Sequence, residues 1–118
     1  MNIQEAAEHI ANEIAMGRDG SYSFNYEEPK TGYFVGGRSW TLVGHHDVVD
    51  PYVIRDYLTS HRTLLSHEGV FVGWWTNDGK VYVDISEHHY SRSQAVFVAE
   101  SRSEIAVWDI ENSNEIFV

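Results

Sequence analysis

The side chains best suited to chemistry in this sequence are histidines and carboxylates in two short clusters. The first cluster begins at His45, and the second occupies residues 87–89, with Asp84 shortly before it. Imidazole and carboxylate groups are common ligands of zinc and other divalent cations. If both clusters lie in loops that meet at one end of a sheet, they could form a metal site. The candidate ligands are His45, His46, Asp47, His88 and His89.

The spacing of these residues also supports a simpler interpretation. Neighbouring histidines rarely bind the same ion, and the sequence contains no H-x-x-H or H-E-x-x-H pattern. Exposed loop histidines are therefore the alternative to a metal- or small-ligand site formed by the His45 cluster with Glu87, His88 and His89. Another histidine, His61, falls on the apolar side of a predicted helix, where we expect it to be buried and hydrogen-bonded.

Other catalytic signatures are missing from the sequence. There is no cysteine, and no serine lies in a G-x-S-x-G motif. Gly36 and Gly37 are not followed by the G-K-[ST] end of a phosphate-binding loop, and paired glycines in extended structure usually mark a bulge. We therefore expect no enzyme activity and no cofactor, since a function has to be argued from a site.

The charge of the chain limits its partners. It has 18 acidic and 8 basic side chains among 118 residues, a net charge of -10, and the basic residues are scattered singly. Nucleic acids and anionic membranes attract basic groups, so the composition predicts no direct binding to either. No apolar run reaches the length of a membrane span and the first residues do not resemble a signal peptide, so we expect a cytoplasmic protein.

The acidic residues concentrate in two segments. Residues 1–17 contain acids and no base, and residues 100–118 contain Arg102 alone against several acids. Solubility is the simplest role for such charge. The alternative is that these side chains occupy a basic site on another protein, as a DNA mimic does. The candidate partner-binding acids are Glu5, Glu8, Glu13, Glu100, Glu104, Asp109 and Glu111.

Aromatic side chains, 14% of the residues, are a second source of candidate contacts. Trp74 and Trp75 are adjacent in a predicted strand, so one faces the core and the other faces outward, and we select Trp75 as a partner-binding candidate. Aromatic residues are enriched at protein interfaces. The alternative is that helices and self-association cover both faces of the sheet. An apolar final strand at residues 115–118 could be a sheet edge that pairs with a second copy.

Local signals place the elements that would carry these residues. Apolar residues at helical spacing follow Asn2, with Glu5 completing a capping pair, and Asp50 with Pro51 starts a second helix. Ser91 precedes a third helix, predicted over residues 92–101. The apolar run at residues 95–99 is also typical of a strand, which is the alternative. Strands at 70–76 and 80–86 flank an Asp-Gly turn that is typical of a hairpin.

Short extended segments complete the pattern. Tyr22, Phe24 and Tyr26 alternate with polar residues as in a half-buried strand, and further strands are predicted at 33–35, 104–110 and 115–118. The order is three helix–strand–strand units, with helices starting near residues 2, 50 and 91. This order predicts a single α+β domain over residues 1–118, in which helices pack on an antiparallel sheet. Two smaller sheets that share the helices are the alternative.

The order of these segments also carries a resemblance. Residues 20–23, 31–37, 78–86 and 104–110 resemble those of small uncharacterised proteins of actinobacteria and their bacteriophages, over roughly residues 20–115. No activity or catalytic residue is established for that family. The resemblance therefore implies a cytosolic setting and a phage or mobile-element origin.

Together these features predict a small acidic accessory protein that binds another protein and performs no chemistry of its own. The sharpest form of this hypothesis is an inhibitor that mimics nucleic acid on a basic partner surface. Two other hypotheses stay open. One is a metal- or small-ligand-binding protein that uses the histidine clusters, and the other is an oligomeric structural or assembly subunit, such as a homodimer.

Overall fold

The computed structural model describes residues 1–45 and 49–118 of the chain. Within these residues there are four helices, α1 (Ile3–Ala15), α2 (Pro51–Ser60), α3 (Arg62–Leu65) and α4 (Arg92–Ser101). The strands are β1 (Gly20–Tyr22), β2 (Tyr33–Val35), β3 (Leu42–His45), β4 (Val70–Asn77), β5 (Lys80–His89), β6 (Ala106–Asp109) and β7 (Asn114–Phe117). All seven join one antiparallel sheet on which the helices pack. The predicted α+β class is confirmed, and the two-sheet alternative is wrong.

The three long helices start where their capping residues predict. The Asn2 side chain accepts a hydrogen bond of 2.8 Å from the Glu5 N–H, and the Glu5 carboxylate accepts one of 3.2 Å from the Asn2 N–H. Asp50 caps α2 through the Tyr52 N–H at 2.7 Å. Ser91 caps α4 in the same way. These bonds satisfy N–H groups that a helix start leaves without a partner.

The β4–β5 hairpin also forms as predicted. Asn77 pairs with Lys80, so only Asp78 and Gly79 form the turn. Both turn residues have positive φ, 52° and 73°. A two-residue turn with positive φ at both positions matches the right-handed twist of the strands that it joins, and Asp-Gly is favoured there because both residues tolerate this conformation.

The long strand β5 organises the sheet. All of β4 pairs with one side of β5, at residues 80–87, and two strands share the other side. β3 pairs with residues 80–83 of β5, and β2 pairs with residues 87–89. Residues 36–41 connect β2 with β3 and interrupt this pairing next to residues 84–86. The path across the sheet is β1-β4-β5-β2-β6-β7, with β3 beside it on β5.

The strand register divides the side chains between two faces, because paired residues point to the same side and successive residues alternate. The described helices lie on the face that carries Val83 and Ile85, which we call the helix face. α1, α2 and α3 cover β4 and β5 in one core cluster, where Ile10 and Leu58 are fully buried. α4 covers β2 and β6 in a second, smaller cluster.

The opposite side of the sheet carries no helix among the described residues, and we call it the open face. The connection from β1 to β2, residues 23–32, reaches part of it, since the Thr31 carbonyl accepts a hydrogen bond from His88 Nε2 at 2.7 Å. The same connection also contacts Ser21, whose hydroxyl donates to the Glu28 carboxylate. The larger or polar side chains of the open face are those of Phe34, Val43, Phe71, Trp75, Tyr82, Asp84, Ser86, His88 and Trp108.

Three local expectations are corrected. Residues 87–89 were expected in a loop, but they are the last residues of β5 and pair with β2. Gly44 and His45 likewise belong to β3. The ladder of Tyr22, Phe24 and Tyr26 does not form, because β1 ends at Tyr22 and the chain bends after it.

No helix among the described residues is both long and apolar enough to cross a membrane.

Candidate functional site

The structure does not bring the described histidines of the two clusters together. His45 pairs with Lys80 at one end of β5, and His88 lies eight residues further along the same strand. At a rise of about 3.3 Å per residue, this separation corresponds to about 26 Å. Among the described residues, no group of three potential ligands could hold a metal ion. His46 and Asp47 lie outside the described residues.

The histidines at the end of β5 have local partners instead. His88 donates to the Thr31 carbonyl, and its ring lies edge-on to Phe34 and Tyr90 at 6.0 and 4.6 Å between centroids. His89 Nε2 lies 3.3 Å from a carboxylate oxygen of Glu87. These contacts account for the orientation of both rings without a metal ion.

Glu87 acts as a structural clamp. Its Oε1 forms an ion pair of 2.6 Å with Arg38 Nε and accepts a hydrogen bond of 2.9 Å from Arg102 Nη2. Arg102 Nη1 also donates to the Gly36 carbonyl at 3.2 Å. The pairs therefore join the end of α4, the β2–β3 connection and β5, so both arginines are committed to holding the fold together.

His61 is buried and hydrogen-bonded, as predicted. Its Nδ1 donates to the Tyr57 carbonyl at 2.7 Å, and its Nε2 lies 2.8 Å from the Ser39 hydroxyl. The Tyr57 hydroxyl donates to the Trp40 carbonyl at 2.8 Å, and the two rings pack edge to face. This network fastens the β2–β3 connection to α2 on the helix face.

Two of the three candidate acids in α1 serve the helix itself. Glu5 belongs to the capping pair, and Glu13 forms an ion pair of 2.7 Å with Arg18. Glu8 is exposed and accepts a hydrogen bond from the Gln4 amide at 3.0 Å. α1 packs on β4 and α2, so these residues lie near the β1 edge of the sheet.

The C-terminal acids lie towards the opposite edge. Glu100 and Glu111 are exposed, and Glu104 is half-buried. Asp109 is only 8% exposed, and its carboxylate accepts hydrogen bonds from the backbone and side chain of Asn112. The Asn112 side-chain hydrogen bond holds the pKa of Asp109 below its ordinary value. Asp109 therefore shapes the β6–β7 turn, and the two acid-rich segments lie at different edges of one sheet.

The adjacent tryptophans divide as predicted. Trp74 is buried in the core, where its indole N–H donates to the Arg18 carbonyl at 3.1 Å. Trp75 lies on the open face and stacks on the paired Tyr82, with 5.4 Å between ring centroids and 9° between planes. Val43, the partner of Tyr82 on β3, is half-exposed beside this stack. Helices therefore cover one face only among the described residues.

A second aromatic group occupies the other half of the open face. Phe34 and Phe71 pack at 5.3 Å between ring centroids, and His88 lies against Phe34. Trp108 pairs with Phe34 from β6 and is exposed. Phe71 is buried although no described helix covers it, and Phe34 packs against its ring.

A row of small residues separates the two aromatic groups. Ser21, Gly73 and Asp84 lie side by side across β1, β4 and β5, and Gly36 and Ser86 adjoin them. We call these five residues the trough. Asp84 is its charged member, and it is only 7% exposed.

Asp84 is a functional candidate that the sequence analysis mentioned only as a neighbour of the histidine cluster at residues 87–89. Burial and the neighbouring Glu104 carboxylate raise the pKa of Asp84 to about 7. No hydrogen bond or ion pair involves its carboxylate among the described residues. The sequence does contain a signal for this position. Asp84 alternates with Val83 and Ile85 in a strand whose hairpin partner contains Gly73. A buried acid is unusual in such a strand.

No protein-family model, curated protein or solved structure gives a significant match to this chain.

Proposed function

We propose that this chain is a small acidic accessory protein that binds a basic surface of another protein through its open face. The observation that carries the proposal is an aromatic sheet face without a helix over it among the described residues. In a two-layer α+β domain the helices normally bury one face and leave a solvated, polar face behind. Here that second face holds Trp75, Tyr82, Phe34 and Trp108, the residue types enriched at protein interfaces.

Charge supports a basic partner. The net charge of -10 repels other acidic proteins and steers basic ones towards the molecule. Glu8, Glu100 and Glu111 are exposed and contribute to this negative charge. The nucleic-acid mimic is the sharpest form of the proposal, since a partner that binds phosphates presents such a basic surface. Small size, acidity and the resemblance described above are the grounds for a phage or mobile-element setting.

The test is affinity capture from a lysate of the source organism on three immobilised proteins. These are the wild-type chain, the double variant Trp75→Ser and Tyr82→Ser, and the control Phe97→Ser, which alters an exposed aromatic residue on α4. We expect a basic protein to bind the wild type and the control and to be lost from the double variant. Added DNA and rising salt should both release it.

Two results would contradict this proposal. One is a captured partner that binds the double variant as strongly as the wild type, which would place the interface elsewhere. The other is binding that does not weaken with salt, which would remove the electrostatic attraction to a basic surface. Circular dichroism of each variant shows whether the fold is intact before binding is compared.

An assembly subunit is the second candidate function, because one observation favours it. β7 lies at an edge of the sheet, and two apolar side chains there are exposed. These are Phe117 in β7, which is 73% exposed, and Ile105 just before β6, which is 75% exposed. Unpaired strand edges with apolar flanks bind other strands readily. Two copies that pair through β7 would extend the sheet across a dimer.

The metal-binding alternative gains no such support from the described residues, since His45 and His88 lie at opposite ends of β5. Elemental analysis of the dialysed protein, compared with a His88→Ala variant, tests it directly.

A further inference from the structure

Asp84 occupies an unusual position for a carboxylate. It is nine-tenths buried at the centre of a sheet, yet no donor among the described residues hydrogen-bonds to it. Among the described buried side chains, every oxygen or nitrogen atom either has a hydrogen-bond partner or contacts solvent. Because the Asp84 oxygens have no partner, they retain a narrow contact with solvent. A buried carboxylate without a partner is costly, and such groups are normally paired.

The Asp84 carboxylate lies close against two glycines. A Cβ atom added to Gly36 would lie 2.7 Å from Asp84 Oδ2, and one added to Gly73 would lie 3.2 Å from Oδ1. Any side chain at Gly36 would therefore collide with the carboxylate, and one at Gly73 would crowd it. The two glycines and the interrupted pairing of β5 therefore let the carboxylate lie at the depth of the backbone.

The walls of the trough suit a long side chain with a cationic end. Trp75 and Tyr82 form one side, and Phe71 lies along the other. Alkyl chains pack against such rings, and a cation is attracted to their faces. At the β1 end, the Ser21 hydroxyl donates to the Glu28 carboxylate at 2.9 Å, which places a second acid there.

We propose that the trough receives a lysine or arginine side chain of the partner, whose cationic end pairs with Asp84. This inference rests on the proposed function and specifies the group that the open face recognises. Two arginines of the chain, Arg38 and Arg102, do not serve this role, since both are bound to Glu87. A side chain from outside would give Asp84 the partner that the fold withholds.

Proton binding at Asp84 gives the proposal a pH dependence. The groups that face or influence Asp84 are Glu104 after α4, Tyr57 of α2, Glu28 of the β1–β2 connection and His88 on the open face. Because the pKa of Asp84 is about 7, the free protein carries a proton there below neutral pH. A cation binds the ionised form, so its affinity should rise with pH up to about pH 7 and then level off.

The experiment uses butylammonium and butylguanidinium chloride as probes for the two side chains. Each is titrated into the isotopically labelled full chain at about pH 8, and amide NMR signals are followed. We expect saturable shifts at Gly36, Gly73 and Asp84 with an affinity in the millimolar range. Asp84→Asn should weaken binding about tenfold or more, because the charge of the pair is lost. Gly73→Val keeps the charge, fills the trough and should also weaken binding.

The matched control is Glu115→Gln, which removes an exposed carboxylate from the same face of the sheet. It should bind the probes like the wild type. The inference is overturned if the shifts do not saturate, if they are equal in Asp84→Asn and the wild type, or if Glu115→Gln reduces them as much. Partner capture separates the two proposals. A partner that is lost from the Trp75 and Tyr82 variant but retained by Asp84→Asn sustains the open-face interface and refutes the cation pocket.

Discussion

At the scale of single residues, similar side chains serve different purposes because their neighbours differ. Glu87 and Asp84 are three residues apart in β5, but Glu87 lies on the helix face between two arginines, whereas Asp84 lies on the open face without a cation. Alternation of side chains along β5 places Asp84 on the side opposite Val83 and Ile85. It could not show the two glycines around Asp84, because Gly36 comes from a different part of the chain.

Asp84 should make the stability of the protein depend on pH. Its pKa is about 7 in the folded chain and near 3.8 in the unfolded chain, so ionisation opposes folding. The contribution of Asp84 to the free energy of unfolding is therefore complete below about pH 4 and is lost as the pH rises to about 7. Asp84→Asn removes this loss and should stabilise the protein by about 2–4 kcal/mol above neutral pH, with little effect in acid.

Urea unfolding of both proteins at about pH 4 and about pH 8 measures this difference. Asp50→Asn is a suitable control, since Asn also caps helices well and the site is exposed. An equal change in stability at both pH values would contradict the assignment of the proton to Asp84.

At the scale of elements, local sequence signals predicted the helix starts and the β4–β5 turn. Pairing between segments that are distant in sequence was not predicted. Helix caps at Asn2, Asp50 and Ser91 and the Asp-Gly turn depend on neighbours in sequence, so their residues are sufficient to place them. Residues 87–89 appeared polar enough for a loop. They form a strand because Glu87 is neutralised by Arg38 and Arg102, groups that are distant in sequence.

The β4–β5 turn should be sensitive to substitution at Gly79. Its φ of 73° is readily adopted by glycine, whereas a β-branched side chain is strained there. We expect Gly79→Val to destabilise the protein by about 1–3 kcal/mol, measured as the free energy of unfolding in urea. Asp78→Asn is the matched control, since asparagine tolerates positive φ and should leave stability almost unchanged. Equal stability of Gly79→Val and the wild type would contradict the turn geometry.

At the scale of the whole molecule, the sequence predicted the layers but not the order of strands. Hairpins separated by helices limit the architecture to helices on an antiparallel sheet. The order β1-β4-β5-β2-β6-β7 separates β1, β2 and β3 from one another although they are consecutive in sequence, and local sequence signals do not specify that separation. This explains why the histidine clusters were expected at one end of the sheet although their described members are separated by the length of β5.

The exposed edge at β7 gives a prediction for the assembled state. If two copies pair there, light scattering should give a mass near twice 13.5 kDa at high protein concentration, and Phe117→Lys should return it to the monomer value. Phe97→Lys introduces the same charge at an exposed position on α4 and should leave the dimer intact. A monomer mass at all concentrations would exclude an assembly role through this edge.

The central position of β5 has a consequence for the order in which the chain can fold during synthesis. The first 45 residues supply β1, β2 and β3, yet in the described pairings none of these strands pairs with another of the three. β1 needs β4, and both β2 and β3 need β5. On the ribosome, β1 must therefore wait unpaired until β4 has emerged, and β2 must wait until residue 89 has emerged. Chaperones have that interval in which to bind these strands.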